Sequence, residues 1–131
     1  MKNKKGFTLI ELLLVIAIIG VLALMGLRLY LTQQDKAKNA IVKANVGTVQ
    51  TLIQAELADT DVTLEGAVDI AKIAGLYNPF NGVEMNLEGW FPESADAPGE
   101  IQITFTESEG AFYIQGYGAD GLLPDILTAR R

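Results

Sequence analysis

Between Phe7 and Leu27 the chain carries 21 residues with a single charged side chain, Glu11, and from Leu12 to Leu27 it has no polar side chain at all. As a helix this stretch is about 32 Å long at ~1.5 Å per residue, close to the ~30 Å hydrocarbon core of a bilayer. Such a run has to be kept from water by lipid or by other protein. Lys2, Lys4 and Lys5 precede it and Arg28 follows it. That asymmetry predicts a cytoplasmic N-terminus and an exported C-terminal part. The apolar run also explains how an acidic chain, net charge −6 over 131 residues, reaches a positive mean hydropathy of +0.26.

Beyond Arg28 the chain turns polar but stays periodic. Ala37, Ile41, Ala44, Leu52 and Ala55 recur at helical spacing, and Val42, Val46, Val49, Ile53 and Leu57 form an adjacent stripe. The two together predict a broad apolar face. Lys36, Lys38, Lys43, Gln33, Gln50 and Gln54 supply the other side. No proline occurs before Pro79, and only Gly20, Gly26 and Gly47 weaken helix propensity. One helix is therefore expected from Phe7 to Ala58, roughly 78 Å long. A second helix is expected from Leu64 to Ala74, with Thr63 as N-cap and Gly75 as C-cap. Asn78-Pro79-Phe80-Asn81-Gly82 is a turn by composition. Val83, Met85 and Leu87 alternate with polar residues as in a strand. Glu93 to Gly99 is a loop, and Ile101–Thr106 with Ala111–Tyr117 reads as a hairpin. Gly118 to Arg131 reads as an irregular tail with a turn at Pro124–Leu127.

Several chemistries are absent. With no cysteine there is no disulfide, thiolate metal site or thiol nucleophile. With no histidine there is no imidazole base and no Ser-His-Asp triad. Ser94 and Ser108 have no basic partner to activate them, and the acidic residues are scattered rather than paired. The chain reads as no enzyme. Its acidic balance disfavours nucleic acid as the main partner. Trp90, Phe91, Tyr113 and Tyr117 fit either a ligand surface or, more commonly, the closure of a core between sheet and helix.

The segment Lys4-Lys5-Gly6-Phe7-Thr8-Leu9-Ile10-Glu11 discriminates among the ways an apolar N-terminal helix can arise. A cleaved secretory signal needs a shorter apolar core and a small-x-small site; Ala23-Leu24-Met25 fails at its last position. A plain membrane anchor explains the lysines but not Glu11, since a carboxylate costs about 2.5–3.5 kcal/mol near the bilayer centre. Gly-Phe-Thr-Leu-Ile-Glu followed by a long apolar helix resembles the class III signal of type IV pilins and of the related type II secretion pseudopilins. The resemblance covers Lys2 to about Leu31.

It implies an α+β, pilin-like fold, with a long N-terminal helix packed on a small antiparallel sheet. The implied organisation is a leader peptide (1–6), a transmembrane and assembly half of the helix (7–28), an amphipathic half (29–58) and a globular head (59–131). A prepilin peptidase would cut between Gly6 and Phe7 and methylate the new Phe7 amine. Glu11 would meet the Phe7 amine of a neighbouring subunit and set the register of a filament. An assembly platform and its ATPase would move the chain from the membrane into that filament. The family often has a helix-breaking proline near Arg28; this chain has none, so flexibility there falls to Gly20 and Gly26, against a continuous helix. Pseudopilin resemblance further implies a calcium site in the C-terminal loop, with Asp120 and Asp125 as candidate ligands; otherwise Gly118-Ala119-Asp120-Gly121 is a tight turn. The rivals are a pseudopilin and a membrane-anchored sensor or binding protein.

Charge is uneven along these parts. Residues 28–58 hold four bases and two acids, whereas residues 59–131 hold three bases and thirteen acids. Removal of residues 1–6 would take away three lysines and leave a side-chain charge of −9.

Overall fold

The computed structural model describes residues 6–131. The chain divides into two compact units, Met1–Gln34 and Asp35–Arg131. Helix α1, Leu9–Asp59, contributes to both. It begins two residues later and ends one residue later than the periodicity implies. In the first unit its apolar side chains are exposed throughout.

The second unit has the α+β architecture expected from the sequence. After α1 come α2 (Leu64–Lys72), a 3-10 turn (Glu88–Trp90) and three strands, β1 (Ile101–Thr106), β2 (Ala111–Tyr117) and β3 (Leu122–Arg130). The strands form one antiparallel sheet in the order β1-β2-β3. Thr63 caps α2 as expected: its backbone is extended and its Oγ1 accepts the Gly66 N–H at 3.0 Å. The helix stops at Lys72, with Ile73 rather than Gly75 at the C-cap. Lys72 closes the last turn on Asp69 at 2.7 Å and reaches Glu88 at 3.7 Å. The hydrogen bond to Asp69 holds its ammonium above the ordinary lysine pKa, against desolvation and with Glu88 adding attraction.

The core lies between one stripe of α1 and the inner face of the sheet. Val42, Val46, Val49, Ile53 and Leu57 meet Ile101, Ile103, Phe112, Ile114 and Ala129, with Ala67 and Ala71 of α2 and Met85 completing it. Of the two apolar stripes expected on α1, only this one is buried. Ala37, Ile41, Ala44, Leu52 and Ala55, the other half of the expected apolar face, are exposed. A three-stranded sheet is too narrow to cover both.

Two segments differ from expectation. Val83–Leu87 is not a strand. Tyr77 and Glu84 form one isolated bridge, flanked by Asn78 N–H to Val83 O (2.9 Å) and Met85 N–H to Leu76 O (2.8 Å). The alternation there buries Met85 alone, while Val83 and Leu87 stay exposed. The expected turn at Pro124–Leu127 lies instead within β3, a nine-residue edge strand. Pro124 lacks an N–H, which an edge position at an irregularity tolerates. The register shifts between Gln115 and Tyr117, where Gly116 lies opposite the stretch 123–125. Gln115 Nε2 picks up the Leu123 carbonyl at 2.6 Å. The same glutamine accepts from Gln102 Nε2 at 2.8 Å, and Gln102 in turn accepts the Ala95 N–H at 3.2 Å.

Two loops are fastened together by Asn78, which is buried. Its Oδ1 accepts the Phe80 N–H and its Nδ2 donates to the Pro98 carbonyl, tying the 78–82 turn to the loop before β1. Gly99, at φ +89°, leaves the space this side chain fills.

A polar stripe of α1 runs alongside β3. Asn39 Oδ1 accepts the Ala119 N–H (2.9 Å) and Lys43 pairs with Asp125 (3.2 Å). Gln50 Nε2 donates to Thr128 O (3.1 Å). Gln54 Nε2 donates to Arg130 O (2.7 Å), and its Oε1 accepts the Arg130 N–H (3.0 Å). Lys43, Gln50 and Gln54, expected on the polar side of the helix, therefore meet β3. Past the helix end, Arg131 pairs with Asp61 at 2.6 Å.

Gly116 sets how closely β2 approaches α1. A Cβ there would collide with Val42 Cγ1 and press on Val46 Cγ2. Gly116→Ala is expected to destabilise the fold by about 1–3 kcal/mol, the usual cost of overpacking a core. Paired with Val42→Ala, the combined loss should fall clearly below the sum of the single losses, because the second change removes the clash. Denaturant unfolding of the four chains checks this.

Candidate functional site

The site begins where α1 begins. Gly6, Phe7 and Thr8 lie outside regular structure, and the helix starts at Leu9. Thr8 ends the non-helical approach. Its Oγ1 accepts the Glu11 N–H at 3.2 Å and its carbonyl accepts the Leu12 N–H, also at 3.2 Å. Thr8 is thus an N-cap, and Glu11 holds the third helical position, where a carboxylate interacts favourably with the helix dipole. Thr8-x-x-Glu11 is the capping-box spacing. That pattern was present in the sequence but hidden inside an apolar run read for its length.

Gly6, Phe7, Thr8 and Glu11 line one concavity. The Gly6–Phe7 peptide bond therefore lies in non-helical backbone, and the Phe7 side chain is 87% exposed. Glu11 lies one helical turn from Phe7, and no cation pairs with it among the described residues. Lys2, Lys4 and Lys5, the expected basic leader, lie outside the described residues. From Leu9 to Leu31 the helix presents Leu, Ile, Val and Met side chains that are all more than about half exposed or close to it, for example Ile10, Val15 and Leu24. Its most apolar window is long enough to cross a membrane. Gly20 and Gly26 lie within unbroken helix, and nothing stands within 4 Å of where their Cβ atoms would be.

The other candidate positions do not gather. Asp120 is exposed, and Asp125 faces Lys43. Among the described residues no three acidic side chains cluster as metal ligands. Of the four aromatic candidates, Phe91 is buried in the core while Trp90, Tyr113 and Tyr117 are half-buried. The fully buried aromatic is Phe112, in tilted contact with Phe105 at 4.7 Å between ring centroids; the sequence reading does not single it out, although strand alternation places it on the face opposite Tyr113.

Comparison with known proteins bears on the N-terminal segment. Residues 1–27 match the family model described as the prokaryotic N-terminal methylation motif. The chain is also similar to the fimbrial protein EcpB of Eikenella corrodens, 47% identical over 58 residues, and to the type IV major alpha-pilin of Moraxella bovis, 42% identical over 57 residues. The resemblance to type IV pilins stands. Each of these matches takes in 44% of this chain and 36% of the relative, so the chain matches about a third of the length of these pilins. Fimbrial protein Q of Moraxella bovis matches to the same extent as the latter. No solved structure matches the chain.

The cap at Thr8 is open to a direct test. Thr8→Val keeps the shape and removes the acceptor, at a cost of about 1 kcal/mol to the first turn. Amide exchange at Glu11 in detergent micelles should rise roughly fivefold, while Thr8→Ser should leave it near the parent rate.

Proposed function

We propose that the chain is the precursor of a structural subunit that polymerises into a type IV pilus-like filament. The observation that carries this reading is the arrangement at the start of α1: a non-helical Gly6–Phe7 bond, a carboxylate one turn further on, and then an exposed apolar helix. The methylation-motif match over the same residues supports it. The pilin and fimbrial names of the relatives support a pilus rather than a secretion pseudopilus.

In this reading the precursor sits in the inner or cytoplasmic membrane with its N-terminus in the cytoplasm. A prepilin peptidase reaches the exposed Gly6–Phe7 bond, removes residues 1–6 and methylates the Phe7 amine. The new amine carries a positive charge one turn from Glu11. Once the apolar helices pack together away from water, an unpaired charge there costs far more than a paired one. Glu11 therefore accepts only those axial offsets at which a neighbouring copy's Phe7 amine meets it, which makes it a registry device. A platform protein and ATPase supply the extraction. The exposed Ala37, Ile41, Ala44, Leu52 and Ala55 stripe of α1 offers further apolar surface to other subunits.

Mass spectrometry of the protein from its native cells should show a chain beginning at N-methylated Phe7 and lacking residues 1–6. A mature chain beginning anywhere else would count against the reading. Glu11→Ala should be processed normally yet enter filaments at least about tenfold less than the parent, a loss of ~1.4 kcal/mol or more of pairing; undiminished filaments would remove the registry role.

A further inference from the structure

The Thr128–Arg130 end of the outer edge of β3 is closed by side chains of α1, and the closure is built with matched spacing. Thr128 and Arg130 turn backbone groups away from β2, and those groups are taken by Gln50 and Gln54. Four residues of helix advance about 6 Å and two residues of strand about 6.6 Å, so Gln50 and Gln54 keep step with Thr128 and Arg130. Lys43 and Gln50, seven residues apart, advance about 10.5 Å, against about 10 Å for the three residues from Asp125 to Thr128. Gln50 and Gln54, seven and eleven residues after Lys43, each lie within about 20° of it around the helix at ~100° per residue. The stripe Lys43, Gln50, Gln54 thus runs parallel to β3 in register with it. Upstream, Pro124 offers no N–H to a neighbour.

We infer that the edge of β3 is a latent strand-addition surface for the β3 of a second copy, held shut by Gln50 and Gln54. An open edge strand is a template for another chain. The charges of β3 identify the partner as itself. A second β3 laid antiparallel with Thr128 opposite Thr128 places Ile126 opposite Arg130 and Asp125 opposite Arg131, giving two opposite-charge pairs about the two-fold axis. In the folded chain those same two charges are already taken, Asp125 by Lys43 and Arg131 by Asp61. The fold therefore occupies the Thr128 carbonyl, both Arg130 backbone groups and both of the charges that self-pairing would use. This inference is independent of the filament reading.

The chain has no cysteine, so Thr128→Cys introduces a single thiol at an exposed position of β3. The full chain carrying it is oxidised in detergent micelles with and without Gln50→Met and Gln54→Met, which keep side-chain bulk and remove the hydrogen bonds. The clamp-free chain should form the disulfide-linked dimer roughly tenfold faster or more, with faster amide exchange at Arg130 and unchanged exchange at Ile114 in the core. Arg131→Glu in that background should slow the link again. Equal dimer rates with and without the glutamines, or a link indifferent to Arg131→Glu, would overturn the inference. If exchange at Ile114 also rises, the double variant has lost the fold. Gln54→Glu then takes its place, keeping the acceptor for the Arg130 N–H and losing the donor to its carbonyl. A dimer rate for that chain no higher than the parent's would equally overturn the inference.

Discussion

The stripe Val42, Val46, Val49, Ile53 and Leu57 leaves water only because β2 comes close enough to α1 to receive it, and that approach runs through Gly116. Each fully buried aliphatic side chain contributes about 1.5–3 kcal/mol by transfer. Five of them on one face make this contact the main source of stability in a unit that has no disulfide to supplement it. Other features follow from it. The register shift beside Gly116 leaves the Leu123 carbonyl outside the ladder, and Gln115 takes it up. The same close approach brings the polar stripe of α1 within reach of β3. Among the described residues no buried side-chain nitrogen or oxygen is left without a partner.

The helix that carries this contact also carries a segment with a different requirement. From Leu9 to Leu31 its large apolar side chains are exposed among the described residues. At ~25 cal/mol per Å2 of apolar surface, water is the wrong solvent for such a length. Lipid and packed copies of the same helix both satisfy it. The distribution of charge suits both settings. Residues 59–131 carry an excess of ten negative charges, which repels copies wherever that surface faces water. The segment 12–27 carries no charge to oppose association.

How much of this was legible follows from which signals were local. α1, the cap of α2 at Thr63 and the β1–β2 hairpin were readable because periodicity, an N-cap residue and strand alternation each sit within a few residues. β3 was not, because Pro124 and Asp125 are turn formers by composition. Their place in a strand depends on the edge position and on Lys43, 82 positions earlier in the sequence. The choice between the two apolar stripes of α1 was equally hidden, since it is decided by the width of a sheet. Thr8 and Glu11 were recognisable as a motif from their neighbours, but their bond at the helix start is an ordinary capping geometry that the apolar run obscured. Gln50 and Gln54 looked like solvated residues because nothing near them in sequence shows the backbone groups they meet.

A chain with a long exposed apolar helix is poorly served by an open sheet edge as well, since each is a separate route to association. A three-stranded sheet has two edges, and each carries hydrogen bonds from another segment here. On β1 the Ile103 N–H donates to the Pro92 carbonyl, and Gln102 accepts from Ala95, so the loop before the strand lies along it. On β3 the glutamines of α1 do the same work. The two closures differ in kind. The first uses a local segment and would survive changes in α1, whereas the second depends on the helix keeping its place over the sheet. Loss of the Gly116 contact would therefore affect more than stability. It would shift the α1 stripe against β3, and the matched spacing that keeps the edge shut would fail with it. Packing of the core and suppression of sheet-edge pairing are in this way one structural decision, made where Val42 and Gly116 meet.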